Sequence, residues 1–188
     1  NVLAKRPDIY EEMLGNYQAL LQNNPPGYGP LILGEYLYEK DRLDESMEQL
    51  LSAMEKAENA RCPGVLVPSM VTIARINLAH GDIEGAFSAV DECELKLQSI
   101  KKMHWNYLLR AFRARLCLDS GGPDAGKEWF ESCKLGIYHE ITRGREFELI
   151  VNARFLIAAG RMNEAEILLN RLLAFSMNFR RKHSAVEI

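Results

Sequence analysis

The sequence predicts an all-α protein, a superhelix (α-solenoid) of about four antiparallel helix pairs with one further helix in front. Three observations predict it. Turn-like stretches recur as DRLDES (41–46), GDIEGA (81–86), GGPDAG (121–126) and GRMNEA (160–165), at spacings of 40, 40 and 39 residues. Repetition at a fixed period of this size marks stacked supersecondary units. The last position of each stretch is small (Ser46, Ala86, Gly126, Ala165), and so is the position twelve residues earlier (Gly34, Ala74, Ala114, Ala153). Alanine, glycine and serine fill only about a fifth of the chain, so eight small residues in eight places define a register. The third observation is an apolar stripe. Four residues after the second small position stand Leu50, Val90, Phe130 and Leu169, and seven after it Ala53, Cys93, Cys133 and Leu172. This i, i+4, i+7 spacing puts them on one face of a helix.

The elements follow in order. A helix from about Pro7 to Gln22, ended by NNPPGYGP, reads as a cap or as the second half of a preceding repeat within residues 1–24. First helices are expected near 29–40, 66–80, 104–119 and 146–159, and second helices near 43–60, 83–100, 123–138 and 162–180. The repeats then run near 28–62, 65–102, 104–140 and 145–182, within a single helical-repeat domain over 1–188. Gly81, Gly121 and Gly160 can take the left-handed conformation that ends a first helix, and Pro123 suits the first turn of a second. A small residue on each helix lets the two backbones approach, while the stripe is buried against the next pair. Strand-type alternation of useful length does not compete.

Two small positions twelve apart around a GxxxxA turn resemble the tetratricopeptide repeat in a longer form. Two segments sharpen the resemblance: VPSMVTIARINLAHGDIEGAFSAVDE and NARFLIAAGRMNEAEILLNRLLAFSMNFRRKHSAVEI. Both are similar to the helical-repeat region of the large LuxR-type, MalT-like ATP-dependent transcriptional regulators, and the EWF of Glu128–Phe130 fits as well. The resemblance covers about residues 28–188. It implies a regulator whose ATP-binding and helix-turn-helix DNA-binding domains lie outside this chain. The repeats would be its effector-sensing or partner-binding arm. A stand-alone tetratricopeptide scaffold holding a peptide or protein in its concave groove is the alternative.

Composition bounds the function. The 188 residues are 47% hydrophobic and 26% charged, as in ordinary soluble proteins. With 23 basic and 26 acidic residues, the formal charge of −3 offers no general attraction to nucleic acid or to an anionic membrane. DNA is therefore expected to be reached only through other domains. The longest apolar runs fall short of the roughly 18 residues that span a bilayer, and no signal-type segment is present, so a cytoplasmic protein is expected. Cys62, Cys93, Cys117 and Cys133 are scattered, without CxxC spacing, and read as reduced packed thiols. The chain starts at Asn1 and stops as HSAVEI opens a new apolar pattern, so it reads as a fragment of a larger protein.

SGGPDAGKE (120–128) almost spells a phosphate loop, GxxxxGK[S/T]. A helical pattern precedes it where a strand should stand, and Glu128 occupies the place of the magnesium-binding hydroxyl. A carboxylate there would repel phosphates, so neither nucleotide nor any other cofactor is expected in this chain. His80, His104, His139 and His183 fall at unrelated phases, without metal-ligand spacing. No nucleophile–base set or carboxylate pair can be assembled, and no enzyme is expected.

Binding candidates come from the first helices, which in such repeats line the concave face. Directly after the first small position stand Glu35, Arg75, Arg115 and Arg154, with Tyr38 and Asp119 on the same wall. Planar guanidinium forks could cradle an anionic group of an effector or partner. The competing reading is that each arginine pairs with an acidic neighbour and bridges solvated helices. Trp129 lies beside the buried stripe and is expected to pack. Trp105, in KKMHWNY, could pack at a helix end or form an aromatic rim. The basic run NFRRKH (178–183) suits the negative end of a helix dipole, or a contact with DNA or an acidic domain.

Overall fold

The structure, a computed structural model, describes residues 24–101, 105–121, 123–142 and 144–178. The helix expected over Pro7–Gln22, His104, His183 and most of NFRRKH lie outside those residues. The described residues form eight α-helices and no strand: α1 (Tyr28–Glu39), α2 (Leu43–Asn59), α3 (Pro63–Ala79), α4 (Ile83–Ser99), α5 (Asn106–Asp119), α6 (Pro123–Ser132), α7 (Glu146–Ala158) and α8 (Met162–Asn178). The described residues fall into two compact units, one ending at Leu109 and the other starting at Arg110.

In the first unit α1 packs on α2, α2 on α3 and α3 on α4, and α1 also meets α3. The small columns mark where paired helices touch. Ser46 is fully buried and its hydroxyl donates to the Gly34 carbonyl at 2.7 Å, which ties the two small positions of one repeat together. A Cβ on Gly34 would come within 2.7 Å of the Leu50 side chain. Ala74 and Ala86, the same two positions one repeat later, are also fully buried. The stripe residues Leu50, Ala53, Val90 and Cys93 are buried as expected, among Leu66, Met70, Ile76 and Leu97.

In the second unit Ala114 and Gly126 meet closely: a Cβ on Gly126 would stand 3.2 Å from the Ala114 carbonyl oxygen and inside contact distance of the Phe155 ring. Ala153 and Ala165 are buried where α7 packs on α8. One core cluster gathers Leu149, Ile150, Leu156, Leu168 and Leu172 around the packed α7–α8 pair, with Leu135 added from the chain after α6. A second gathers Ala111, Ala114, Val151 and Phe155, with Trp129 and Phe130 packed against it.

The turns follow one design. Gly81, Gly121 and Gly160 have φ of 80°, 78° and 71°, and Asp41 takes the corresponding place in the first repeat with φ 59°. The amides that follow reach back to the helix they close: Arg42 to the Leu37 carbonyl (2.9 Å), Asp82 to Asn77 (2.8 Å) and Arg161 to Leu156 (2.9 Å). These are six-to-one closures that satisfy otherwise orphaned carbonyls. Side chains brace the starts of three second helices. Asp82 accepts the Gly85 amide at 2.8 Å, and the Arg42–Glu45 and Arg161–Glu164 pairs brace the first turns of α2 and α8.

Two boundaries differ from the sequence expectation. The helix expected from 66 begins at Pro63, a residue suited to a first turn. Pro68 is tolerated inside it because the carbonyl it leaves without an amide belongs to Gly64, which is exposed. The larger difference is α6, which ends at Ser132 instead of near 138. Lys134 turns left-handed at φ 51°, and Leu135 drops into the core cluster. The chain that follows is fastened by side chains: the Asn152 amide donates to the Leu135 carbonyl (2.8 Å), and Arg171 donates to the carbonyls of Ile137 and His139.

Candidate functional site

The candidate residues of the first helices are placed as follows. In the first unit Glu35 and Tyr38 stand on α1 and Arg75 on α3, and the Arg75 guanidinium lies 4.5 Å above the centre of the Tyr38 ring. Glu35, Tyr38 and Arg75 are all partly exposed. A guanidinium stacked on a phenol ring keeps its donor edge available while its flat face is covered. In the second unit Arg115 and Asp119 lie one turn apart on α5, with Nε 3.4 Å from Oδ2, and Arg154 is half-buried on α7. The structure thus brings Tyr38 to Arg75 and Asp119 to Arg115.

The second unit also holds a cleft that the sequence reading did not anticipate. Because α6 stops early, a space of about 430 Å³ opens between its end and the start of α8. Buried Asn152, Leu135 and Leu156 form its floor, and Phe130 and Ile137 its walls. Glu131, Lys134, Arg161 and Glu164 stand round the rim. Arg161 and Glu164 join through two hydrogen bonds of 2.7 Å, and the guanidinium lies 5.9 Å from the Phe130 ring centre. The hydrogen bond from Arg161 holds the Glu164 carboxyl below the usual range, so this pair is charged and mutually satisfied. Asn152 is 1% exposed, and with its amide on the Leu135 carbonyl its Oδ1 has no hydrogen-bond donor among the described residues. The signal for this residue is legible in hindsight: Asn152 interrupts the run LIVNARFLIA, in which Arg154 is the other polar residue.

A second polar set lies at the start of α7. Glu146 is buried and accepts the Ser176 hydroxyl at 2.8 Å. Glu148 is buried too, with Arg145 3.4 Å away; burial pushes its carboxyl above the ordinary value, against the opposing charges of Arg145 and His139.

A family model described as the MalT-like TPR region matches residues 8–188. The chain belongs to the MalT-like TPR region family. A relative of this TPR region is the HTH-type transcriptional regulator MalT of Yersinia enterocolitica serotype O:8 / biotype 1B (strain NCTC 13174 / 8081), 28% identical over 144 residues. The aligned part is 75% of this chain and 16% of that regulator, so the chain spans a small share of the relative's length. No solved structure gives a significant match.

The remaining candidates of this MalT-like TPR region are placed as follows. Trp129 packs at 5.8 Å against the Phe155 ring, which also stacks with Phe130 at 5.6 Å. Trp105 is half-buried just before α5. Cys93 and Cys117 are buried, Cys62 and Cys133 partly so, and all four are free thiols. Burial and the Glu92 charge push the Cys93 thiol up to about 12, which leaves it protonated and inert at neutral pH. No helix among the described residues is long and apolar enough to cross a membrane.

Proposed function

We propose that this chain is the effector-sensing and protein-interaction module of a LuxR-type, MalT-like transcriptional regulator that works in the cytoplasm. Its ATP-binding and DNA-binding domains lie outside the chain, which is itself neither an enzyme nor a cofactor carrier. The observation that carries this reading is the family match over residues 8–188. The similarity to MalT, an HTH-type transcriptional regulator, supports it further. The Arg75–Tyr38 stack in the first unit and the Arg115, Asp119 and Arg154 groups in the second are the polar anchors we assign to effector or partner. A ligand would act by binding one packed arrangement of the repeats more tightly than another, since only differential affinity shifts such an equilibrium.

Sequencing the gene on both sides of the region tests the regulatory role. A phosphate loop upstream and a helix-turn-helix downstream are expected; finding neither overturns the proposal. A thermal-shift screen of metabolites on the purified chain tests sensing. A sensor's melting temperature rises with particular metabolites. A chain that retains a protein partner and ignores every metabolite is the plain scaffold instead.

A further inference from the structure

We propose that residues 133–139 are a two-state element: a strap fastened by side chains, as in the structure, and two further turns of α6 in a second arrangement. The inference concerns the second unit's own fold and stands whether or not the chain senses an effector.

The lengths of the second helices are the first observation. α2, α4 and α8 have 17 residues each, whereas α6 has 10, seven fewer, which is two turns. The closures of α2, α4 and α6 are alike: Arg61, Lys101 and Lys134, each the second residue past its helix, are left-handed at φ 51°, 56° and 51°. α6 therefore ends on the repeat's own closure, made two turns early. The seven residues are still in the chain, because the turns at 121–126 and 160–165 keep a spacing of 39 against 40 for the others.

Burial is the second observation. In register, Cys133 corresponds to Ala53 and Cys93, and Ile137 to Ala57 and Leu97, and these four counterparts are 0% exposed. Cys133 and Ile137 are only partly buried in the strap. Leu135 does the reverse: its counterparts Glu55 and Leu95 are exposed, whereas Leu135 lies in the core cluster. The two arrangements thus exchange Leu135 for Cys133 and Ile137, so apolar burial favours neither strongly.

Polar groups decide between them. The Asn152 amide holds the Leu135 carbonyl at 2.8 Å, and Arg171 holds the carbonyls of Ile137 and His139, with its guanidinium 6.0 Å from the Tyr138 ring centre. Gly136 adds to the strap's advantage, because glycine is a poor helix former. Two further helical turns would satisfy these backbone carbonyls within α6 and release Asn152 and Arg171. An element with two such packings is one that a ligand can bias.

The test is NMR of the full chain, with Cα secondary shifts over 134–138 as the readout and Leu156 and Leu168 as reporters of the intact α7–α8 pair. Leu135→Glu is the sharper variant. A segment with only the strap would have to bury that carboxylate, whereas the longer helix puts it where Glu55 stands exposed. The expected result is a folded chain with helical shifts over 134–138. The second variant leaves the core alone. Gly136→Ala, at an exposed position where the new methyl meets nothing within 4 Å, should raise the helix-to-strap ratio about fivefold. Adding Arg171→Gln, which unfastens the strap, should raise it about tenfold more. Helical shifts are expected in this double variant as well. A Leu135→Glu chain that no longer folds overturns the proposal, as do random-coil shifts over 134–138 in either chain, or strap shifts unaltered in the double variant.

Discussion

Replacing Gly126 by alanine separates close helix contact from helix propensity. On propensity alone the change should stabilise α6 by about 1 kcal/mol, because glycine is the poorest ordinary helix former. The structure opposes it. The added methyl would meet the Phe155 ring below contact distance and stand 3.2 Å from the Ala114 carbonyl oxygen. Phe155 is 4% exposed and wedged between Trp129 and Phe130, so its ring has little room to swing away. Overpacking of this kind costs about 1–3 kcal/mol. Set against the propensity gain, it leaves a net destabilisation of up to about 2 kcal/mol, or a few degrees in melting temperature for a chain of this length. Urea unfolding followed by far-UV circular dichroism is the assay, with unchanged slope as the check that the same surface unfolds. Phe155→Leu trims the opposing ring, so in the double variant the two costs should fall short of their sum by about 1 kcal/mol. A Gly126→Ala variant that gains stability, or costs that simply add, would refute the close approach of α5 and α6.

Gly160 makes the opposite case. A methyl there meets nothing within 4 Å, yet φ is 71°, so Gly160→Ala should cost about 1 kcal/mol in the same urea assay, from backbone strain alone. Glu148→Gln should stabilise the protein at neutral pH. Burial raises the folded-state pKa of Glu148, so the native state holds the proton more tightly and loses stability as pH rises from the unfolded value of about 4.3 through the folded one. The advantage of the variant should therefore vanish in melts below that unfolded value. Cys93, buried and with its thiol pushed up to about 12, should resist iodoacetamide in the native chain and react once urea unfolds it, as mass spectrometry of its peptide will read.

The repeat was legible because close helix contact writes itself into residue size. Ser46 against Gly34 and Gly126 against Ala114 are contacts that the twelve-residue spacing of small positions anticipates, and a left-handed turn favours the glycine found at 81, 121 and 160, although Asp41 fills the same place in the first repeat. The early end of α6 was not legible. Phe130, Cys133 and Ile137 keep helical spacing through CKLGIYHE, so the pattern continues after the helix has stopped. What ends it is tertiary: Leu135 is drawn into the core, and Asn152 and Arg171 take up the freed carbonyls. The cleft depends on that ending and was hidden with it. Of the proposed anchors, the Arg75 column was visible by register, whereas its stacking on Tyr38 needed the geometry of two helices.

The tight turns carry a kinetic consequence. Each spans three residues, so the two helices of a pair meet across short stretches of sequence, as when Ser46 finds Gly34 twelve residues away. Little loop-closure entropy is spent before such contacts stabilise the chain, and low contact order of this kind goes with fast folding. The stretch between α6 and α7 departs from this economy. Its anchors, Asn152 to Leu135 and Arg171 to His139, reach across 17 and 32 residues, so this segment is expected to order late and to open first in native-state hydrogen exchange.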